Sequence, residues 1–193
     1  NYKWSKRMRT ITLFENSADY TVGWHELTVA TAKYGKSNDT PVLDITFEGY
    51  PDNFNMRTWA KHNEKTEEEW RIARLFRFAN AGITEVLEED GKKRIALNDD
   101  ADQLIGKRLN VLFYKEPVTV DGEERQYSRA YSTPAPTVFS NEAESYDEDA
   151  VGRFKVKAEE QFASYGKGTL STNGTTNHVE KELVTADDED LPF

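Results

Sequence analysis

Arg125, Tyr127, Arg129 and Tyr131 recur at every second position, so an extended backbone sets two cations and two rings on one face. Arg57 and Trp59 repeat the pairing at the same spacing, and Lys33, Tyr34 and Lys36 carry it into a polar turn. Sequence-independent binding of single-stranded nucleic acid needs this combination: rings on which bases stack for about 1–3 kcal/mol each, set among cations that follow the phosphates. Trp24, Lys61, Lys107 and Tyr114, on or beside neighbouring strands, complete the candidate set. One surface arginine or one edge tyrosine carries no such meaning, but three sets together do. Catalytic patterns are thin by comparison. There is no G-x-S-x-G, no H-E-x-x-H, no Walker loop and no Rossmann glycine pattern. Gly35-Lys36-Ser37 lacks the earlier glycine of a phosphate loop and joins strand to strand, and Asp99, Asp100 and Asp102 read as a solvated charge run. With no cysteine, disulfides and thiolate metal sites are excluded, and His25, His62 and His178 have no ligand spacing. The expectation is a non-enzymatic protein with no cofactor and no metal.

Such residues need strands and a core to hold them. From Tyr20 the chain alternates, with Leu27, Val29 and Thr31 on one face and Trp24, Glu26 and Thr28 on the other. Residues 33–39 have turn composition, and Pro41 opens a second strand with Leu43, Ile45 and Phe47 inward. Residues 54–60 form a third, with Arg57 and Trp59 on one face and Phe54, Met56 and Thr58 on the other. Thr66 to Glu69 is a capping box that starts a helix ending near Asn80, with Gly82 as its left-handed stop and Ile72, Leu75, Phe76 and Ala79 as its apolar stripe. Arg71, Arg74 and Arg77 lie opposite that stripe beside Trp70 and Phe78. A second packing surface is the favoured explanation, because exposed Trp and Phe normally have a partner. Residues 83–102 are a charged connection with a hairpin signal at Asp90-Gly91. Leu109, Val111 and Phe113 mark a fourth strand, and residues 118–131 a hairpin about Asp121-Gly122. Three strands, a helix and two strands is the order of the OB-fold, a five-stranded barrel with its helix between the third and fourth strands.

The 193 residues are 37% apolar and 31% charged, a core diluted by solvated segments. The net charge of −10 is unevenly spread: residues 1–141 hold 20 Lys and Arg against 22 Asp and Glu, residues 142–193 hold 5 against 13. The organisation expected is a basic arm at 1–14, a barrel at 15–139 and a flexible acidic tail at 140–193, in which residues 151–165 have weak helical character. No long apolar run and no basic-then-apolar leader is present, so a soluble protein of the cytoplasm, with no membrane partner, is expected.

Asp187-Asp188-Glu189-Asp190-Leu191-Pro192-Phe193 resembles the C-terminal tip of bacterial single-stranded DNA-binding proteins, with Leu191 where isoleucine is usual. A pocket for the Phe193 ring, a basic residue on its carboxylate and a basic rim for the acids would suit it. Residues 23–47, Arg57 to Trp59, Asn80-Ala81-Gly82 and Leu104-Ile105-Gly106-Lys107 resemble a family of phage OB-fold single-stranded DNA-binding proteins, over residues 15–135. The resemblance implies a replication or recombination protein encoded by a phage or prophage, in the cytoplasm of a bacterial host, whose tip recruits partner enzymes. A strand-annealing protein and a protein-binding adaptor are the alternatives, and homo-oligomerisation stays open.

Overall fold

In the computed structural model, which describes residues 18–89, 91–166, 168 and 170, the 15-residue strand β1 (Gly23–Ser37) has two partners. Its first part pairs antiparallel with β6 (Arg108–Val120), from Gly23 opposite Phe113 to Thr28 opposite Arg108. Its second part pairs with β2 (Thr40–Phe47), from Val29 opposite Phe47 to Ser37 opposite Thr40. The register shifts between Val29 and Thr31, and a bulge there bends the strand from one partner to the other. Val29 bonds through its N–H to the Lys107 carbonyl and through its carbonyl to the Gly106 N–H, each at 2.9 Å, so the backbone at the change of partner stays satisfied. With β3 (Asn55–Trp59) on β2 and β7 (Glu123–Ala130) on β6, the sheet order is β3-β2-β1-β6-β7, all antiparallel. The expected sequence of three strands, a helix and two strands is present.

One face of this sheet is the core. Leu27, Val29, Leu43, Ile45, Phe47, Met56, Leu109, Val111 and Phe113 pack there, and α1 (Arg71–Phe78) lays Ile72, Leu75 and Phe76 with Ala79 on them, the stripe read from the sequence. The start of α1 differs from the expectation. The Thr66 hydroxyl does not cap it. The Glu69 carboxylate does, accepting the N–H groups of Arg71 and Ile72 at 2.9 Å and of Ala73 at 3.1 Å. The segment before it is held extended by a bridge between His62 and Glu69 and by the Trp70 N–H on the Lys61 carbonyl. The opposite face of α1 is a packing surface, as favoured: Phe78 meets Tyr146 and Phe154 edge-on, and Arg77 pairs with Glu144.

Two further differences bear on the site, and the hairpin signal at residues 90–91 is borne out. The first turn is only Asn38-Asp39, both at positive φ, so residues 33–37 are strand and not loop. A two-residue hairpin turn of this hand needs two residues that tolerate positive φ, and Asn and Asp do. The connection after α1 is a separate hairpin of β4 (Ile83–Glu89) and β5 (Lys92–Leu97), followed by a 3-10 turn (Ala101–Leu104). The tail boundary expected at 140 is corrected. Residues 139–165 form a small pair, β8 (Phe139–Ser140) and β9 (Ser145–Tyr146), and the 18-residue helix α2 (Glu148–Tyr165). Asp147 caps α2 by accepting the Ala150 N–H at 2.7 Å, and Ala150, Val151, Ala158 and Phe162 are buried. The basic arm at 1–14 and the tip at 187–193 lie outside the described residues. Among the described residues no helix is long and apolar enough to cross a membrane.

Gly82 ties the β4–β5 hairpin to α1. Its φ is +66°, its carbonyl accepts the Asn98 N–H at 2.7 Å, and a Cβ there would collide with the Asn98 carbonyl. Gly82→Ala should therefore destabilise the fold by about 1–3 kcal/mol, seen as a lower urea midpoint at unchanged slope. An unchanged midpoint would mean that this turn does not clamp the hairpin.

Candidate nucleic-acid interface

Residues directly opposite in an antiparallel ladder share a face, so the registers assign the candidate residues to sides of the sheet. Across β1, β2 and β3 the outer face carries two successive rows, Lys33, Asp44 and Arg57, then Gly35, Val42 and Trp59. Across β6 and β7 it carries Tyr114 opposite Arg129, Glu116 opposite Tyr127 and Val118 opposite Arg125. Trp24, opposite Leu112, belongs to the same face of β1 and β6. The strands β3 and β7 are the two ends of the sheet, and a side chain links them: Thr58 Oγ1 donates to the Ser132 carbonyl at 3.2 Å, two residues beyond β7.

The candidates then separate into three groups. Trp59 and Tyr127 are 39% and 37% exposed on the end strands, with Arg57, Arg125, Arg129 and Lys33 exposed beside them on the outer face. Trp24, Tyr114 and Tyr131 share that face but are covered by α2, which corrects their assignment to an open surface. Phe162 packs on Tyr114 at 4.8 Å and on Tyr131 at 5.2 Å between ring centroids, and Tyr131 is 8% exposed. The Trp24 indole donates to Glu159 at 2.6 Å, and Lys155 lies 5.6 Å over its ring. Burial raises the pKa of both tyrosines and lowers that of Lys155. The third group lies elsewhere. Tyr34, opposite Leu43, and Lys36, opposite Pro41, alternate with Lys33 and so point to the core side of β1, at its hairpin end. Lys107 precedes β6, nine residues from the Glu116 that faces Tyr127, about 30 Å along the strand. Lys61, just past β3, sits 5.9 Å from the Trp70 ring.

The exposed arginines are not bare. Arg57 holds Asp44 through two bonds, Nε–Oδ1 at 2.7 Å and Nη2–Oδ2 at 2.8 Å. Arg129 donates to Glu116 at 2.8 Å and lies 5.6 Å over the Tyr127 ring, and Arg125 meets Glu123 at 3.5 Å. Asp44 and Glu116 were not singled out in the sequence, although cross-strand pairing in a known register would have found them. Exposed pairs of this kind contribute only about 0–1 kcal/mol, so an arriving phosphate can take the carboxylate's place at small cost. Among the described residues no group of His, Asp and Glu is arranged to hold a metal. Compared with protein-family models and with curated proteins, the chain matches none.

Tyr34 has a structural role. Its hydroxyl donates to the Asp99 carbonyl at 2.9 Å, tying β1 to the segment after β5. Burial, with Asp99, Glu69 and Asp100 nearby, pushes its phenol from 10.0 up to about 12. Between those values the folded state keeps a proton that the unfolded state has lost, so stability falls as pH rises. The contribution is complete below pH 10 and is lost as pH approaches 12. Denaturant titrations from pH 9 to about 11 should show a shallower loss of stability in Tyr34→Phe than in the parent. Equal slopes would remove Tyr34 as the titrating group.

Proposed function

We propose that this protein binds single-stranded DNA without sequence preference along the outer faces of β3 and β7, and recruits replication or recombination enzymes through its C-terminal tip. The observation that carries the reading is the pairing of one exposed ring with arginine on each end strand: Trp59 with Arg57, and Tyr127 with Arg129. These are the strands that the Thr58–Ser132 bond brings together. An OB-type barrel closing along that line would make the two aromatic stations one continuous track, beginning on the third strand, whose face such barrels use for oligonucleotides. Bases stack on the rings, and phosphates exchange with the carboxylates that hold the arginines. No catalytic step is part of this reading.

A protein-binding adaptor is the second reading, favoured by the carboxylate on each of Arg57, Arg125 and Arg129. Salt separates the two. DNA affinity must fall with added salt, by a slope of about 0.7 per phosphate contacted in a log–log plot, whereas an apolar protein interface is nearly indifferent. In a titration of fluorescent oligo-dT against a duplex of equal length, Trp59→Ala and Tyr127→Ala should each weaken single-strand binding by about 1–3 kcal/mol. Trp24→Phe, beneath α2, should leave affinity unchanged. Full affinity in both ring variants would take the track off β3 and β7.

The tip carries the other half of the proposal. Because α2 belongs to the folded body, the segment to remove is 171–193, which holds one Lys against six Asp and Glu. Tethered acid competes with DNA at high effective concentration, so this deletion should tighten oligo-dT binding, most clearly at low salt. Deleting Phe193 alone should leave DNA affinity intact and abolish co-purification of host replication or repair enzymes. Retention of every partner without Phe193 would end the recruitment role.

A further inference from the structure

A chain of polar contacts runs on from the Thr58–Ser132 bond into α1. The Ser132 hydroxyl accepts from Arg71 Nη2 at 2.9 Å, and Thr133 Oγ1 lies 3.5 Å from the same nitrogen. Thr133 in turn donates to Gln161 of α2 at 3.2 Å. Arg71, in the first turn of α1, is thus held at Ser132, two residues past the end of β7 and joined by the Thr58 hydroxyl to the end of β3.

The surroundings of Arg71 differ in chemistry from those of its neighbours. Arg57, Arg77, Arg94, Arg108, Arg125 and Arg129 each meet a carboxylate. Arg71 is half-buried, and among the described residues it meets two hydroxyls while its buried Nε has no hydrogen-bond partner. The acid nearest in sequence, Glu69, gives its carboxylate to backbone amides, including that of Arg71 itself. A guanidinium withdrawn from water and held only by neutral groups keeps its whole charge with donors to spare. The terminal N–H groups that Ser132 and Thr133 do not take can donate to an anion, and the Ser132 hydroxyl, whose proton is not committed to Arg71, can donate to another of its oxygens.

We infer that Arg71, with Ser132 and Thr133, seats a phosphate group of the strand that passes over Trp59 and Tyr127. This rests on the reading of single-strand binding given above. The seat needs no carboxylate to leave, so it is the part of the track already arranged for an anion. It lies beside Ser132, the residue that accepts from Thr58 just before Trp59, two residues past the end of β7.

The experiment uses the full chain with Arg71→Gln, Arg71→Lys and Ser132→Ala. In salt-dependent oligo-dT titrations Arg71→Gln should lose about tenfold in affinity, the size of one charge-assisted hydrogen bond, and its log–log salt slope should be shallower by about 0.7. Arg71→Lys should keep the slope with weaker binding, and Ser132→Ala, which leaves the cation in place, should weaken binding by a smaller factor. In parallel, inorganic pyrophosphate is titrated while the Arg71 Nε–H resonance is followed by NMR, with a saturable shift expected in the parent. If the oligonucleotide binds and Trp59→Ala weakens it, while the slope of Arg71→Gln and the Arg71 resonance do not respond, Arg71 is only a brace and this inference fails alone. If the parent ignores oligo-dT but pyrophosphate moves Arg71 saturably, the functional reading fails and the anion seat stands.

Discussion

Because β1 serves β6 with residues 23–28 and β2 with residues 29–37, the chain must bend at Val29, and the sheet on either side must swing with it. A strand that changes partner in mid-length cannot lie in a flat sheet, since each half carries its own ladder and its own twist. Here the outcome is an order in which the strands added last at each side, β3 and β7, come back towards one another. The Thr58 hydroxyl spans to the Ser132 carbonyl across that gap. Every feature of the candidate interface inherits its place from this bend. Trp59 and Tyr127 lie on the two end strands of the sheet, which the Thr58–Ser132 bond links.

The parts of the fold legible in the sequence are those where one face of an element meets the core and the other meets water. Leu43, Ile45 and Phe47 alternate with polar residues, and Ile72, Leu75, Phe76 and Ala79 recur at helical spacing, because burial imposes its own period. The outer face of β6 was beyond that reach. Leu112 is as buried as Leu109, so both faces are covered, and a period of two says nothing about what lies over the second one. The cover is α2, joined to Trp24 by the Glu159 bond across 135 residues of sequence. Its apolar positions, Val151, Phe154, Ala158 and Phe162, are sparse enough within an acidic segment that the sequence shows weak helical character there but not its burial. Composition averages over a helix whose burial needs only one residue per turn. The stretch 33–37 failed in the opposite direction: Gly, Ser and Lys suggest a loop, yet the positive φ required by the turn falls on Asn38 and Asp39 alone.

Arginine at the interface shows why residue type and residue charge are separate questions. Read from the sequence, Arg57, Arg125 and Arg129 are cations in search of phosphate. In the fold each has an acid within reach, which is also how a body of nearly balanced charge keeps its surface free of a strong field. Such pairs hold the guanidinium in a fixed orientation at little energetic cost, and they would turn phosphate binding into exchange of one anion for another. Under the proposed reading, exchange would limit the affinity of each ionic contact and leave most of the affinity to the rings, whose stacking does not depend on which acid the arginine holds.

The covering of Trp24, Tyr114 and Tyr131 sets a boundary to that stacking surface. An indole N–H left without a partner beneath a helix would be costly, and Glu159 supplies the acceptor, so the acid that looks like part of a tail is needed by the body. Removing α2 would take Phe162 from its cluster with Leu112 and Tyr131 and expose an apolar face on β1 and β6. A protein using that face for DNA would have to unpack a buried cluster each time it bound. The end strands carry no such penalty, because Trp59 and Tyr127 are already in solvent. The energetics of cover therefore favour a short track across β3 and β7 over a long one around the whole sheet.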